Sequence, residues 1–581
     1  MTKSKLFLSL LLAGTIGSVS AQSLKDAKAA IDEEKYDEAK GMLQNLVEKK
    51  ARDGENWFYL GQIHLINDKI DSAEYVFNQG VTNAPKEKLN NVGLGIVDLM
   101  KGDKAAAETK LSTAVSDLGR KEYLPLLYIG QAYIKAPEPD YTKAIEYLTQ
   151  AKEKNQKDPD ILIALGDAYA GMGESSQAFV SYRDAEYLDE SLLAPKIGQA
   201  LISRRAQAYD VVIESLTKLS SENPDYAPLY RELAETYYLS SLKLTDDDDS
   251  YREINQKALE FYKKYLSLTG DASVEAKTRY ADFLVYSGNY EELKSVAEEL
   301  ANMPGVDAKV YRYLGYIAYN QDKDYAKAAE NMNILFEKVQ PERLIPRDYL
   351  YAGLANLSAG DSAKGEELLK QAVEKQTEED NLETEIAETA FAKYQDGEVE
   401  EAVKIFRIPA AQDSSDYYYD ANYFVGLGQY TKGSRLVSPA EGEEITPELG
   451  VQKIAEAKPA LDEAVKSFGI VIATDKEDVK KKYLVNSLYY KGLSELALDG
   501  VMYDPENAKG LFVDSFTRLL QEAQGSEIPE TTLNSYIVDA NNYLGYYFYL
   551  KGETEKAKMH FQETIKFSPD DEFAGQFVDQ L

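Results

Sequence analysis

Two stretches near opposite ends of the sequence carry the same residues at the same spacing. Near the start, Trp57, Leu60, Gly61 and His64 precede Ala73, Phe77, Gly80 and Pro85; near the end, Leu544, Gly545 and Phe548 precede Ala557, Phe561, Thr564 and Pro569. In both, Gly to Ala is 12 residues and Ala to Pro is again 12. Leu, Gly and an aromatic residue three or four positions apart share one face of a helix. The Gly admits a second helix at close range, and the Ala does the same from that second helix. The Phe fills the space between units, and the Pro falls where the second helix has to stop. A hairpin built this way cannot bury its apolar face alone, so the pattern commits the chain to a stack of such hairpins.

The Gly/Ala frame recurs between these ends as Gly95/Ala107, Gly166/Ala178, Gly130/Ala144 with two extra residues, and Gly315/Ala328 with one. Weaker copies are Ala27/Ala39, Gly198/Val212, Ala234/Ala258, Ala281/Leu293, Gly353/Gly365 and Ala390/Ala402. Gly426/Ala464 and Gly492/Ala508 complete the series, the latter with Phe512 four residues on. Gly-Asp, Gly-Glu or Gly-Asn steps at 102, 173, 288, 360, 397 and 552 fall between the two helices of a unit, where a left-handed residue is needed. The whole resembles the tetratricopeptide-repeat (TPR) family, whose 34-residue unit reads W-x2-L-G-x2-Y...A-x3-F...P. The resemblance implies an all-α, right-handed superhelical solenoid of about 14 helix-turn-helix repeats. A C-terminal capping helix is expected over Asp571–Leu581, with Phe573 and Phe577 on one face.

Residues 1–21 read as a signal peptide. Lys3 and Lys5 precede an apolar run from Leu6 to Ile16, and Val19-Ser20-Ala21 offers small residues before Gln22. The array is expected to divide into 22–303 and 304–581. Extra residues at 242–256 and 431–458 are expected to form loops on one edge. The junction at Ala21 resembles those of exported proteins of Bacteroidota, which implies a periplasmic or secreted chain.

Composition excludes several classes. The chain has no cysteine, so disulfides, thiolate metal sites and Cys nucleophiles are ruled out. A formal charge of -34 opposes nucleic acid and anionic lipid and favours basic partners. Neither histidine sits in a metal-binding frame: His64 takes a packing position of the repeat, and His560 is expected to be solvated. The Asp246–Asp249 run lacks the Gly and Glu of a calcium loop. Gly93-Leu-Gly95 and Gly426-Leu-Gly428 have no preceding strand, and Gly95 and Gly426 are repeat glycines. Ser215 and Lys218 share a second helix with no supporting motif. No catalytic residue, metal or cofactor is expected.

The 44 tyrosines set against 18 phenylalanines point instead to binding, because a phenol joins a broad apolar face to a polar tip. In TPR proteins the first helices line the concave wall. The resemblance therefore places Tyr238, Tyr286, Tyr316, Tyr319, Phe391, Tyr394, Tyr423, Tyr430, Tyr546 and Tyr549 there. The Lys/Asn pair with which some TPR co-chaperones grip a C-terminal carboxylate is absent; those positions read Arg312/Tyr316, Arg231/Glu235 and Phe58/Gln62. The reading that follows is a non-catalytic scaffold for envelope proteins, working through its groove. A general holdase for unfolded or basic clients is the alternative, and an enzyme using the 431–458 segment has only that segment in its favour.

Overall fold

The Gly/Ala frame sets the helix crossings. Gly61 lies in the helix Gly54–Ile66 and Ala73 in Ile70–Asn83. A Cβ on Gly61 would stand 2.2 Å from the ring of Phe77, four residues past that Ala. The relation repeats with Gly95 against Leu111, Gly166 against Tyr182 and Gly545 against Phe561. The glycine is thus matched to the large residue one turn beyond the Ala, and any side chain there drives the two helices apart. Between the helices, Gly102 at φ +80 makes the turn and Asp103 caps the next helix by accepting from the Ala106 N–H at 3.0 Å. Asp140, Asp324 and Asp361 cap later second helices the same way.

The computed structural model describes residues 23–244, 248–377, 380–523 and 527–581. The expected signal peptide Met1–Ala21 and the acidic residues Asp246 and Asp247 lie outside them. Among the described residues there are 29 α-helices and no strand. Twenty-eight pair into fourteen hairpins, and Glu572–Gln580 caps the last one. The cap lays Phe577 flat on Phe561 at 4.8 Å and sets Phe573 edge-on to it at 5.9 Å. The architecture is the all-α hairpin solenoid expected from the repeat.

Three departures have local causes. The extra residue between Gly315 and Ala328 is absorbed as a π-helical turn, Ala318–Asp322. The two insertions, expected as loops, are mostly helix. The first lengthens the second helix of its hairpin to Asp248–Thr269, 22 residues. The second lengthens both helices of its hairpin, Tyr418–Val437 and Pro447–Ile472, and leaves only 438–446 as a loop. The added turns are helical because they have something to bury. Val437, Ala457 and Leu461 form a small core with Tyr503, whose hydroxyl donates to the Val437 carbonyl at 2.5 Å. The third correction concerns Gly492, whose expected partners were Ala508 and Phe512. It packs on Phe516, and Phe512 precedes the helix Val513–Glu522, so the frame is displaced by one turn.

The chain falls into two units, divided between Val310 and Tyr311. In the first, the first helices of distant repeats converge. Tyr59 and Tyr128 pair through their hydroxyls, and Lys28 lies 5.2 Å over the Tyr59 ring. Glu34, at the turn after Leu24–Asp32, reaches Arg231 of Ala227–Ser241. Trp57 is half-buried in this unit, its indole N–H donating to the Ala51 carbonyl at 2.8 Å. In the second unit, first helices also turn their aromatic residues toward one another.

Candidate functional site

The helices Leu382–Gln395, Tyr418–Val437, Glu477–Asp499 and Glu530–Leu550 are successive first helices of the second unit. Leu382–Gln395 has the regular length and the other three are longer; Tyr483 and Tyr536 lie in the turns added ahead of the repeat frames of Gly492 and Gly545. Tyr394 meets Phe424 edge-on at 4.8 Å. Tyr423 packs on Tyr483 at 4.3 Å, and Tyr430 on Tyr490 at 5.3 Å. Tyr489 stacks on Tyr536 with ring centres 3.7 Å apart and planes at 12°. Four consecutive repeats therefore share one aromatic wall.

Two carboxylates punctuate this wall. Asp420 accepts from the Tyr483 hydroxyl at 2.6 Å and from Lys482 at 2.8 Å. Asp539 accepts from the Tyr489 hydroxyl at 2.6 Å through Oδ2. Its charge also acts on the half-buried phenols of Tyr430 and Tyr543. Burial and this neighbouring anion both raise the Tyr489 phenol, because each disfavours phenolate. Burial likewise holds Tyr430 up at about 12, so these hydroxyls stay protonated donors.

Of the residues expected on the wall, Tyr430 and Tyr394 are half-buried members of this cluster, with Phe391 set edge-on to Phe406 behind them. Tyr423 is buried, 8 % exposed, as is Tyr319 at 7 % between Tyr325 and Tyr351. Tyr316 packs on Tyr351 at 4.2 Å and donates to Asp348 at 3.1 Å. Tyr546 and Tyr549 pack on Phe577 of the capping helix. Tyr238 and Tyr286 stack at 4.6 Å in the first unit.

Tyr483, Tyr489, Tyr490, Tyr536, Asp539 and Tyr543 were missed. Counting each repeat Gly as position 8, Tyr489 stands at position 5 before Gly492 and Asp539 at position 2 before Gly545, both inside the repeat frame. Tyr423 holds the same place before Gly426 that Tyr489 holds before Gly492.

The clamp positions are engaged within the chain. Arg312 pairs with both oxygens of Asp348 at 2.6 and 2.7 Å, and Arg231 meets Glu34 and Glu232, each at 2.9 Å. His560, expected to be solvated, is buried: its Nδ1 lies 2.9 Å from Asn541 Oδ1 and its ring stacks on Phe548. Its helix presents this face to Glu530–Leu550, and burial lowers the imidazole below its ordinary value. Gly93 and Gly426 are packing glycines, set against Phe77 and Phe468. No helix among the described residues is long and apolar enough to cross a membrane.

Residues 24–88 match the family model of the tetratricopeptide repeat. The chain is similar to a TPR repeat-containing protein of Methanocaldococcus jannaschii, 22% identical over 327 residues, which are 54% of this chain and 54% of that protein. The chain thus spans about half the length of that curated relative. A tetratricopeptide repeat protein from Parabacteroides merdae is similar over 45% of this chain and 95% of its own, at 18% identity and a TM-score of 0.29. The C-terminal part of a TPR repeat-containing protein from Cytophaga hutchinsonii is similar over 52% of this chain and 98% of its own, at 17% identity and a TM-score of 0.26.

Proposed function

We propose that the chain is a non-catalytic scaffold that holds protein partners on the tyrosine wall of its second unit, in the bacterial periplasm. The observation that carries the reading is the convergence of Tyr394, Tyr430, Tyr490 and Tyr543 from four successive first helices, all half-buried. Rigid aromatic faces with polar tips give contact area at little entropic cost, which is what a peptide or helix groove needs. The periplasmic setting is supported by the basic, apolar and small-residue order of residues 1–21.

A photo-crosslinking residue placed at Tyr430 or Tyr543 in cells tests the reading, with Tyr187 on the surface of the first unit as control. One or two envelope proteins captured from the wall and not from Tyr187 are expected. A broad set of unfolded clients would make the protein a holdase, and equal capture from all three positions would overturn the wall as the site. The mass of the purified chain tests export: the expected N-terminus is Gln22.

A further inference from the structure

The wall contains an acceptor built like two others in the chain, but without the cation that fills them. In the first unit Arg279 pairs with both oxygens of Glu235 at 2.7 and 2.6 Å, and its guanidinium lies 4.8 Å over the Tyr238 ring and 4.4 Å over Phe283. In the second unit Lys482 pairs with Asp420 at 2.8 Å and lies 4.7 Å over Tyr483, whose hydroxyl also holds Asp420. Each site joins a carboxylate, a tyrosine ring and a cation, so ion pairing and attraction to the ring face act together.

Asp539 has the carboxylate and the rings. Tyr489 donates to its Oδ2, and the phenols of Tyr430 and Tyr543 stand within reach of its charge. Tyr543 follows it by four residues on the same helix, so the ring and the carboxylate share a face. No lysine, arginine or histidine pairs with Asp539 among the described residues, and its Oδ1 accepts no hydrogen bond among them. Asp539, Tyr430 and Tyr543 are each partly exposed.

We infer that Asp539, with Tyr430, Tyr489 and Tyr543, receives a lysine or arginine side chain from a basic segment of a bound protein. The inference rests on the reading of the wall as a protein-binding surface and names the chemistry of what it holds. The excess of 99 acidic over 65 basic residues steers such a segment toward the chain, and Asp539 fixes where its charge settles.

Fluorescence anisotropy of the full chain tests this with labelled peptides of alternating glycine and lysine, glycine and arginine, or glycine and uncharged norleucine. The basic peptides are expected to bind and the norleucine peptide to bind at least about tenfold more weakly. Asp539→Asn retains an oxygen for the Tyr489 hydroxyl. It is expected to weaken the basic peptides about tenfold and to flatten their salt dependence. Asp570→Asn removes the same charge from an exposed turn and is expected to leave binding unchanged. Tyr543→Leu is expected to weaken binding several-fold. Equal affinity of Asp539→Asn and the parent chain, or equal losses from Asp539→Asn and Asp570→Asn, would overturn the inference. Tetramethylammonium binding more tightly than either basic peptide would assign the site to a free small cation and overturn it too. Capture from Tyr430 that persists in Asp539→Asn would leave the protein-binding wall standing and remove only the cation site. Asp539-dependent peptide binding without any capture from Tyr430 would do the reverse.

Discussion

The carboxylate of Glu34 lies 2.9 Å from the guanidinium of Arg231, joining the turn of the first hairpin to the first helix of the seventh. The pair is unequal. Glu34 is 12 % exposed and burial raises its carboxyl, whereas Arg231 has a second partner in Glu232 at 2.9 Å.

Removing either partner therefore has different costs. Arg231→Met leaves a carboxylate in a poorly hydrated site and is expected to destabilise the first unit by about 2 kcal/mol, less than a fully buried pair because Arg231 is partly exposed. Glu34→Gln removes the charge that burial penalises and leaves Arg231 paired, so a loss under about 1 kcal/mol is expected. Because Glu34 is raised in the folded state, its contribution is present at low pH and is lost as pH rises through the raised value. Urea titrations of the two variants at neutral pH check the asymmetry; equal losses would contradict it.

Glycines inside helices divide by what a Cβ would meet. At Gly492 it would stand 2.5 Å from the Phe516 ring, and Gly492→Ala is expected to cost about 1–3 kcal/mol. At Gly469, within Pro447–Ile472, nothing lies within 4 Å, and Gly469→Ala is expected to gain about 0.5–1 kcal/mol. Thermal denaturation of both variants reads the opposite signs.

Most of the fold was legible because one glycine and the residue sixteen positions on fix each regular crossing, as with Gly61 and Phe77. Where that spacing slipped, at Gly492, the reading chose Ala508 over a pairing twenty-four residues away. The 431–458 insertion was misread as a loop because its apolar residues Val437 and Ala457 bury against Tyr503, which is distant in sequence. His560 was misread for the same reason: its neighbour Lys558 suggested water, but Asn541 and Phe548 lie across the hairpin. The wall was legible as a region, and Tyr430 as a member of it; Asp539 was not, since an aspartate in so acidic a chain carries no signal without the rings around it.

His560 supplies a pH dependence. Burial holds its imidazole below the ordinary 6.5, so the unfolded chain takes up the proton first. The stability it contributes is present above about pH 6.5 and is lost as pH falls through the lowered value. His560→Gln keeps a polar partner for Asn541 and is expected to flatten the fall in stability of the second unit as pH drops below about 6.5. Melting curves across that range check it.

Tyr503 ties the small core of the long hairpin to the Val437 carbonyl. Tyr503→Phe is expected to cost about 1–2 kcal/mol and to speed hydrogen exchange in 438–446. Exchange around Gly61 and Phe77 is expected to stay as it was, because a repeat array loses stability locally.

Trp57 is the sole tryptophan in the sequence, and it is anchored to Ala51 inside the first unit. Its fluorescence emission is therefore a spectroscopic label that the chain carries on one half only, while helical ellipticity sums both. Comparing the two midpoints in one urea titration measures whether the halves melt together, with no dye, fusion or truncation.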